Sequence, residues 1–198
     1  MFAGLSANAE AGDAILVVGP NGAGKSSLLR VLTGLTPAFA GSVRWQGRDV
    51  RRSQEDYRAA FRYVGHADVV QPSLSVIGNL AYWAGLYGAE RRPERLAAAL
   101  DGVGLASLAQ LPARLLSAGQ RRRLALSRLT ATATSEMKLW FLDEPTIALD
   151  APSIRRVEGL IRAFRAEGGI VVASTNAPFA LPDATRLDVS DFAVEAMG

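Results

Sequence analysis

The chain has 198 residues, enough for one domain or two tightly packed subdomains. It is 49% hydrophobic and 21% charged, a balance that buries a core and excludes a disordered chain. The absence of cysteine excludes disulfides, thiol catalysis and Cys-ligated zinc, and a net charge of +3 with no basic block beyond Arg121-Arg122-Arg123 gives no footing for direct nucleic-acid binding. No apolar run approaches the ~18 residues that span a bilayer, and no charged-then-apolar leader precedes the first motif, so a cytoplasmic placement is expected.

In chain order, the weak alternation over 2–9 predicts a strand, and Ile15-Leu16-Val17-Val18 predicts the first core strand. A helix over 27–33, ended by Gly34, follows the glycine-rich segment between them. Ser42-Val43-Arg44-Trp45-Gln46-Gly47 predicts a strand and turn, 55–61 a helix with Tyr57 and Phe61 one turn apart, and Arg62-Tyr63-Val64-Gly65 a second buried strand. From about 71 to 119 the composition shifts to Ala, Leu and Gly. This predicts an inserted helical subdomain broken at Gly78, Gly85, Gly88, Pro93, Gly102 and Pro112, within a core formed by about 1–70 and 120–198. Its aromatic group Tyr82, Trp83 and Tyr87 reads first as internal packing and second as a partner-facing patch. A helix over 120–131, a strand at 139–142, a helix on the stripe Ile154, Val157, Leu160, Ile161 and Phe164, a strand at 170–174 and a last strand at 186–189 complete the pattern. Helices between apolar strands predict an α/β fold, with a mostly parallel sheet covered on both faces.

The segment Gly19-Pro20-Asn21-Gly22-Ala23-Gly24-Lys25-Ser26-Ser27 stands between strand and helix, the required context of a phosphate-binding P-loop. Its backbone N–H groups are expected to converge on an anion at a helix N-terminus. Lys25 supplies a point charge for the β- and γ-phosphates, and Ser26 a hydroxyl for Mg²⁺. Only two of the 22 basic side chains are lysines, and one of them is Lys25. Asp143 and Glu144 end the apolar strand at 139–142; beside a P-loop the first suits a Mg²⁺ shell and the second a base for water. Ser117-Ala118-Gly119-Gln120 opens the helix near 120 and reads as a second anion site. Two such helix starts in one chain point to a head-to-tail homodimer, each nucleotide held between the P-loop of one copy and this turn of the other.

These motifs, in this order, resemble the ATP-binding-cassette ATPases nearly end to end. Gly19 through Ser27 match Walker A. Leu116-Ser117-Ala118-Gly119-Gln120 matches the family signature with Ala118 where Gly is usual, 139–144 match Walker B, and Ala148-Leu149-Asp150 matches the D-loop. The resemblance implies the P-loop NTPase fold of that family, ATP with Mg²⁺, and nucleotide contacts from Ser117, Ala118, Gly119, Gln120 and Asp150. Within the family the chain is most similar to the ATP-binding subunit of the haem exporter of cytochrome c biogenesis, on 41–47, Tyr63-Val64-Gly65-His66, 116–123 and 168–172. That similarity implies membrane partner subunits, haem or a haem-chaperone complex as cargo, and a peripheral position at the cytoplasmic face of the inner membrane.

The chain departs from the family pattern in three places. His66, the only histidine, stands where the Q-loop has Gln, counted back from Leu74-Ser75-Val76; Gln71 falls too late to replace it. It reads either as an ordinary loop histidine or as a sensor of Mg²⁺, water and subdomain position. Asn176 stands where the switch histidine is expected. Only 24 residues precede Lys25, so the strand that carries an adenine-stacking aromatic is expected to be missing, with Phe2 too near the next strand to serve. The ATPase of another small-substrate transporter and a slow nucleotide-gated regulatory module stand as the alternative functions.

Overall fold

The computed structural model describes residues 2–176, 179, 181 and 183–192. Its framework is a five-stranded parallel sheet in the order β4-β5-β6-β1-β7: β1 is Ala14–Val18, β4 Phe61–Val64, β5 Leu139–Asp143, β6 Ile170–Ser174 and β7 Thr185–Asp188. β1, β5 and β6 are buried at every position, as continuous apolar runs in a two-sided parallel sheet should be. A separate antiparallel ribbon joins β2 (Arg44–Trp45) to β3 (Arg48–Asp49).

Side chains alternate across the sheet, so each strand feeds two cores. On one face Leu16, Trp140, Leu142, Val171 and Ala173 pack against α5 (Ala118–Ala131) and α6 (Ala151–Ala166). Trp140 stacks on Phe164 of α6 with ring centroids 4.0 Å apart and planes 3° from parallel, a pairing worth about 0.5–1.5 kcal/mol beyond its buried area. On the other face Ile15, Val17, Phe141 and Val172 meet Leu28 and Leu29 of α1 (Lys25–Leu32) and Tyr57 of α2 (Gln54–Ala60). A third cluster gathers α3 (Val76–Leu86) and α4 (Pro93–Gly102) around Leu80, Leu96 and Leu100, together with Leu124 and Ala131 of α5.

Several expectations change. Residues 2–9 form no regular strand. Phe61 begins β4 instead of ending α2, yet its ring still meets Tyr57 at 5.1 Å. Gly78 and Gly85 do not break α3. A Cβ at Gly78 would lie 2.9 Å from Ser75 Oγ, which caps the helix by accepting from Gly78 N–H, and the space beside Gly85 holds the Arg91 guanidinium. Both glycines make room; neither ends the helix. The segment does break at Gly88, at φ +65°, at Pro93, which opens α4 at a first-turn position that lacks nothing without its N–H, and at Gly102, the last residue of α4.

Of the aromatic group, Trp83 packs inward, while Tyr82 and Tyr87 lie at the surface. The Arg128 guanidinium lies 4.5 Å over Trp83 and that of Arg62 4.2 Å over Tyr87, while Trp83 and Tyr87 stack at 6.0 Å. Burial pushes Arg128 down to about 10. Tyr82 projects outward, 45% exposed.

Candidate functional site

Register aligns the strand ends. Val64 pairs with Leu142, Leu142 with Ala173, and Ala173 with Leu16, so the residues just beyond this row open together at one edge of the sheet. That edge, outside the carboxyl ends of parallel strands, is where α/β sheets bind ligands. It carries the P-loop after β1, Asp143 and Glu144 at β5, Asn176 after β6 and His66 after β4.

The P-loop's shape demands glycine at its entry. Gly19 has φ +136°, and a Cβ there would lie 2.9 Å from Val189 Cγ2. Gly24, at φ +100°, is the N-cap of α1 with no side-chain cap, which leaves the first N–H groups of the helix open to an anion. Lys25 is only 6% exposed; its Nζ donates to Gly19 O at 2.8 Å, Pro20 O at 3.1 Å and Asn176 Oδ1 at 2.6 Å. Asn176 also donates from Nδ2 to Asn21 Oδ1, and from its backbone N–H to Glu144 Oε2 at 3.2 Å. Gly22, Ala23, Ser26 and Ser27 complete the loop and first turn, with Ala23 N–H donating to Pro20 O at 3.2 Å.

Asp143 is 2% exposed, and its Oδ1 accepts from Ser26 Oγ at 3.0 Å and Ser174 Oγ at 2.6 Å. These hard oxygens suit Mg²⁺. Among the described residues no three His, Cys, Asp or Glu side chains group as a metal cage.

Glu144 adopts φ +49°, a left-handed conformation that costs a non-glycine residue about 1–2 kcal/mol. Its N–H is held by Ser174, through O at 3.2 Å and Oγ at 3.0 Å. Its Oε1 is buried without a hydrogen-bond partner. A buried, unpaired carboxylate oxygen is costly unless a ligand completes it.

The signature turn lies elsewhere. Ser117 and Gln120 form a reciprocal capping box at the start of α5: Ser117 N–H donates to Gln120 Oε1 at 2.8 Å, and Gln120 N–H to Ser117 Oγ at 3.3 Å. Ala118 is exposed, whereas a Cβ on Gly119 would lie 2.7 Å from Ala148 O. Among the described residues no hydrogen bond joins this turn to the P-loop. Asp150 caps α6 by accepting from Ser153 N–H at 2.9 Å, and the Ser153 side chain first, then this backbone bond, lower its pKa. His66 is exposed just past β4, with no described hydrogen bond to Glu144 or Asn176.

Two features escaped the sequence. Arg122, read only as part of a basic run, is 1% exposed and bonds the main chain just beyond β4 and at the end of β5. Its spacing to Leu126 and Leu129, four and seven residues on, placed it on the apolar stripe of α5 and was the available signal. The ring of Phe2 lies beside the P-loop, its Cδ1 3.4 Å from a Cβ placed on Gly24.

Residues 2–147 match the model of the ABC transporter family. A cytochrome c biogenesis ATP-binding export protein, CcmA, of Paramagnetospirillum magneticum is 47% identical over 98% of this chain and 89% of its own length. Its counterpart in Rhodospirillum rubrum is 47% identical over 98% and 81%. Among solved structures, a putative ABC transporter ATP-binding protein of Pyrococcus furiosus has a TM-score of 0.80 at 24% identity, covering 93% of this chain and 88% of that one. The dimeric, ADP- and phosphate-bound cassette MJ0796 has a TM-score of 0.76 at 24% identity, covering 86% and 78%. The P-loop, the carboxylates closing β5 and the capped signature helix are thus carried by a fold and a sequence that agree, and the chain belongs to the ABC transporter family, as one of its ATP-binding cassettes.

Proposed function

We propose that the chain binds MgATP at the carboxyl edge of its sheet and hydrolyses it as one of two copies in a head-to-tail dimer. In this reading hydrolysis drives a membrane complex of cytochrome c biogenesis that moves or releases haem or a haem-chaperone complex. The observation that carries the hydrolytic reading is the convergence of Lys25, Ser26, Asp143, Glu144 and Asn176 at three adjacent strand ends, with Glu144 Oε1 buried and unpartnered.

The chemistry follows from those groups. The P-loop N–H groups and Lys25 take up the phosphate charge, with Lys25 exchanging its contact to Asn176 for phosphate oxygen. Ser26 and Asp143 are the residues that would hold Mg²⁺, which would supply positive charge to offset that of the phosphates. Glu144 Oε1 accepts the proton of the attacking water as the water adds to the γ-phosphorus and the bond to the bridging oxygen breaks. Asn176 offers its amide N–H to the γ-phosphate. The partner copy's Ser117–Gln120 turn closes the site from the other side, with Asp150 beside it, and His66 lines the entry from β4.

The export and cytochrome c biogenesis assignments rest on the names of the full-length relatives. Among the described residues no helix is long and apolar enough to cross a membrane, so a peripheral seat on membrane subunits at the inner face is the arrangement proposed. A second reading, a slow nucleotide-operated gate, is favoured by the neutral amide at 176. The test is twofold. The purified chain should hydrolyse MgATP and lose turnover in Glu144→Gln. Cells lacking the gene should fail to mature c-type cytochromes, and should recover with the wild-type chain but not with Glu144→Gln. Normal cytochromes in the deletion strain would overturn the haem assignment and leave the ATPase standing.

A further inference from the structure

Arg122 lies on α5, two residues past Gln120 of the signature turn, and its guanidinium is shut away from solvent. All five of its N–H donors are used. Nε donates to Pro145 O at 3.3 Å, Nη1 to Gly65 O at 2.8 Å and Asp68 Oδ1 at 3.0 Å, and Nη2 to Asp143 O at 2.6 Å and Glu144 O at 2.8 Å. A guanidinium offers five donors in one rigid plane, so this is a complete set. Four of the acceptors are main-chain carbonyls, and all five lie at the end of β5 or on the segments that leave β4 and β5. Its neighbours in the basic run do other work: Arg121 bonds Leu116 O at 2.5 Å, and Arg123 bonds Val103 O and Gly104 O, each at 3.0 Å, at the end of α4.

We infer that Arg122 is the positioning residue for Glu144, fixing the base from the helix that begins with the signature turn. Glu144 sits in a left-handed conformation that relaxes unless both of its peptide groups are held. Ser174 holds the N–H side; Arg122 holds the carbonyl side, together with the carbonyls before and after it. With those three carbonyls fixed, the carboxylate is aimed so that Oε2 meets Asn176 N–H and Oε1 stays free. The same fork reaches Gly65 and Asp68, so the segment carrying His66 and the base move as one piece with α5. Displacement of the signature end of α5 is therefore felt at the base through a single side chain. The inference rests on Glu144 as the base.

The experiment compares Arg122→Gln, Arg122→Lys, Glu144→Gln and the double variant Arg122→Gln/Glu144→Gln in the full chain, with turnover at saturating MgATP and MgATP affinity measured separately. Displacement of a catalytic group by about 1 Å costs about 10²-fold in rate, so Arg122→Gln should lose about that in kcat with affinity within about twofold of wild type. Arg122→Lys keeps the charge but not the planar fork and should recover part of the loss. Once the base is gone, Arg122 has nothing left to aim, so the double variant should be no slower than Glu144→Gln alone. A kcat for Arg122→Gln close to wild type overturns the inference. So does a fall in ATP affinity parallel to the fall in rate, or an equal loss in both backgrounds; each describes a merely structural arginine. If Arg122→Gln does not fold, Arg122→Lys is read by the same split, and an unchanged kcat there overturns the inference as well. An inactive Glu144→Gln beside an unimpaired Arg122 variant removes only this inference; a fully active Glu144→Gln removes the base assignment first and the inference with it.

Discussion

Asn176 Oδ1 accepts a hydrogen bond from Lys25 Nζ at 2.6 Å. An ammonium only donates, so this contact fixes the amide: oxygen toward Lys25, nitrogen toward Asn21. Asparagine at this position therefore holds the P-loop lysine while keeping one N–H donor near the site, but it never carries charge. Charge-assisted hydrogen bonds are roughly twice as strong as neutral ones, and one aligned transition-state donor is worth about 10²–10³-fold in rate. Asparagine retains part of that contact. Asn176→His is therefore expected to raise turnover by about 10-fold with ATP affinity unchanged, measured in the assembled membrane complex. An unchanged or lower rate would mean that the site is built around the amide.

Glu144 and Lys25 should separate chemistry from binding. Glu144→Gln keeps the shape and removes the proton acceptor, so it should bind ATP normally, turn over at least about 10²-fold more slowly and accumulate as an ATP-bound dimer visible by size-exclusion chromatography. Lys25→Ala removes the buried ammonium that three oxygens now surround and should weaken nucleotide binding itself, measured by calorimetry. A Glu144→Gln variant that remains monomeric with ATP would count against the dimer.

The two small residues of the signature turn are unequal. Gly119 faces Ala148 O, where an added methyl group would sit 2.7 Å from a backbone atom; Ala118 already carries its methyl in the open. Gly119→Ala should destabilise the fold by about 1–3 kcal/mol, read as a lower Tm, and should displace the loop that leads to Asp150. Ala118→Gly should leave Tm nearly unchanged.

Asp150 gives a pH dependence. Hydrogen bonding to Ser153, through its side chain first and its backbone N–H second, lowers the folded-state pKa below the ordinary value of 3.8. A carboxyl whose folded pKa is depressed contributes stability above its unfolded pKa and loses it as pH falls through the folded one. The stability advantage of wild type over Asp150→Ala should be flat across neutral pH and shrink only below 3.8. A difference that stays constant through the acid range would show that the cap does not depend on the charge, and one that grows with acidification would mean a raised, not a lowered, pKa.

The sequence carried the fold as far as local pattern reaches. β1, β5 and β6 were legible because each is a continuous apolar run, and α6 because its stripe keeps a strict helical spacing. Residues 2–9 were misjudged because alternation alone does not supply a partner strand. Gly78 and Gly85 were misread as breaks because the space they leave is filled by Ser75 and Arg91, which no local rule reports. In the site, the motifs announced Lys25, Ser26, Asp143 and Glu144. The links from Asn176 to Lys25, Asn21 and Glu144 depend on the register of β1, β5 and β6, which sequence spacing does not encode. Arg122 stayed hidden because its acceptors are main-chain carbonyls, which leave no mark on residue type.

α5 belongs to two cores. Leu124 and Ala131 face the α3–α4 cluster, while Ala125, Leu126 and Leu129 face the sheet. Melting the α3–α4 lobe strips one side of a helix that the sheet still needs, so its hydrogen-exchange protection should rise and fall with that of the sheet as one cooperative unit. Denaturant titration should then give a single transition, and a chain break placed within α5 should cost both lobes where one between α3 and α4 is tolerated.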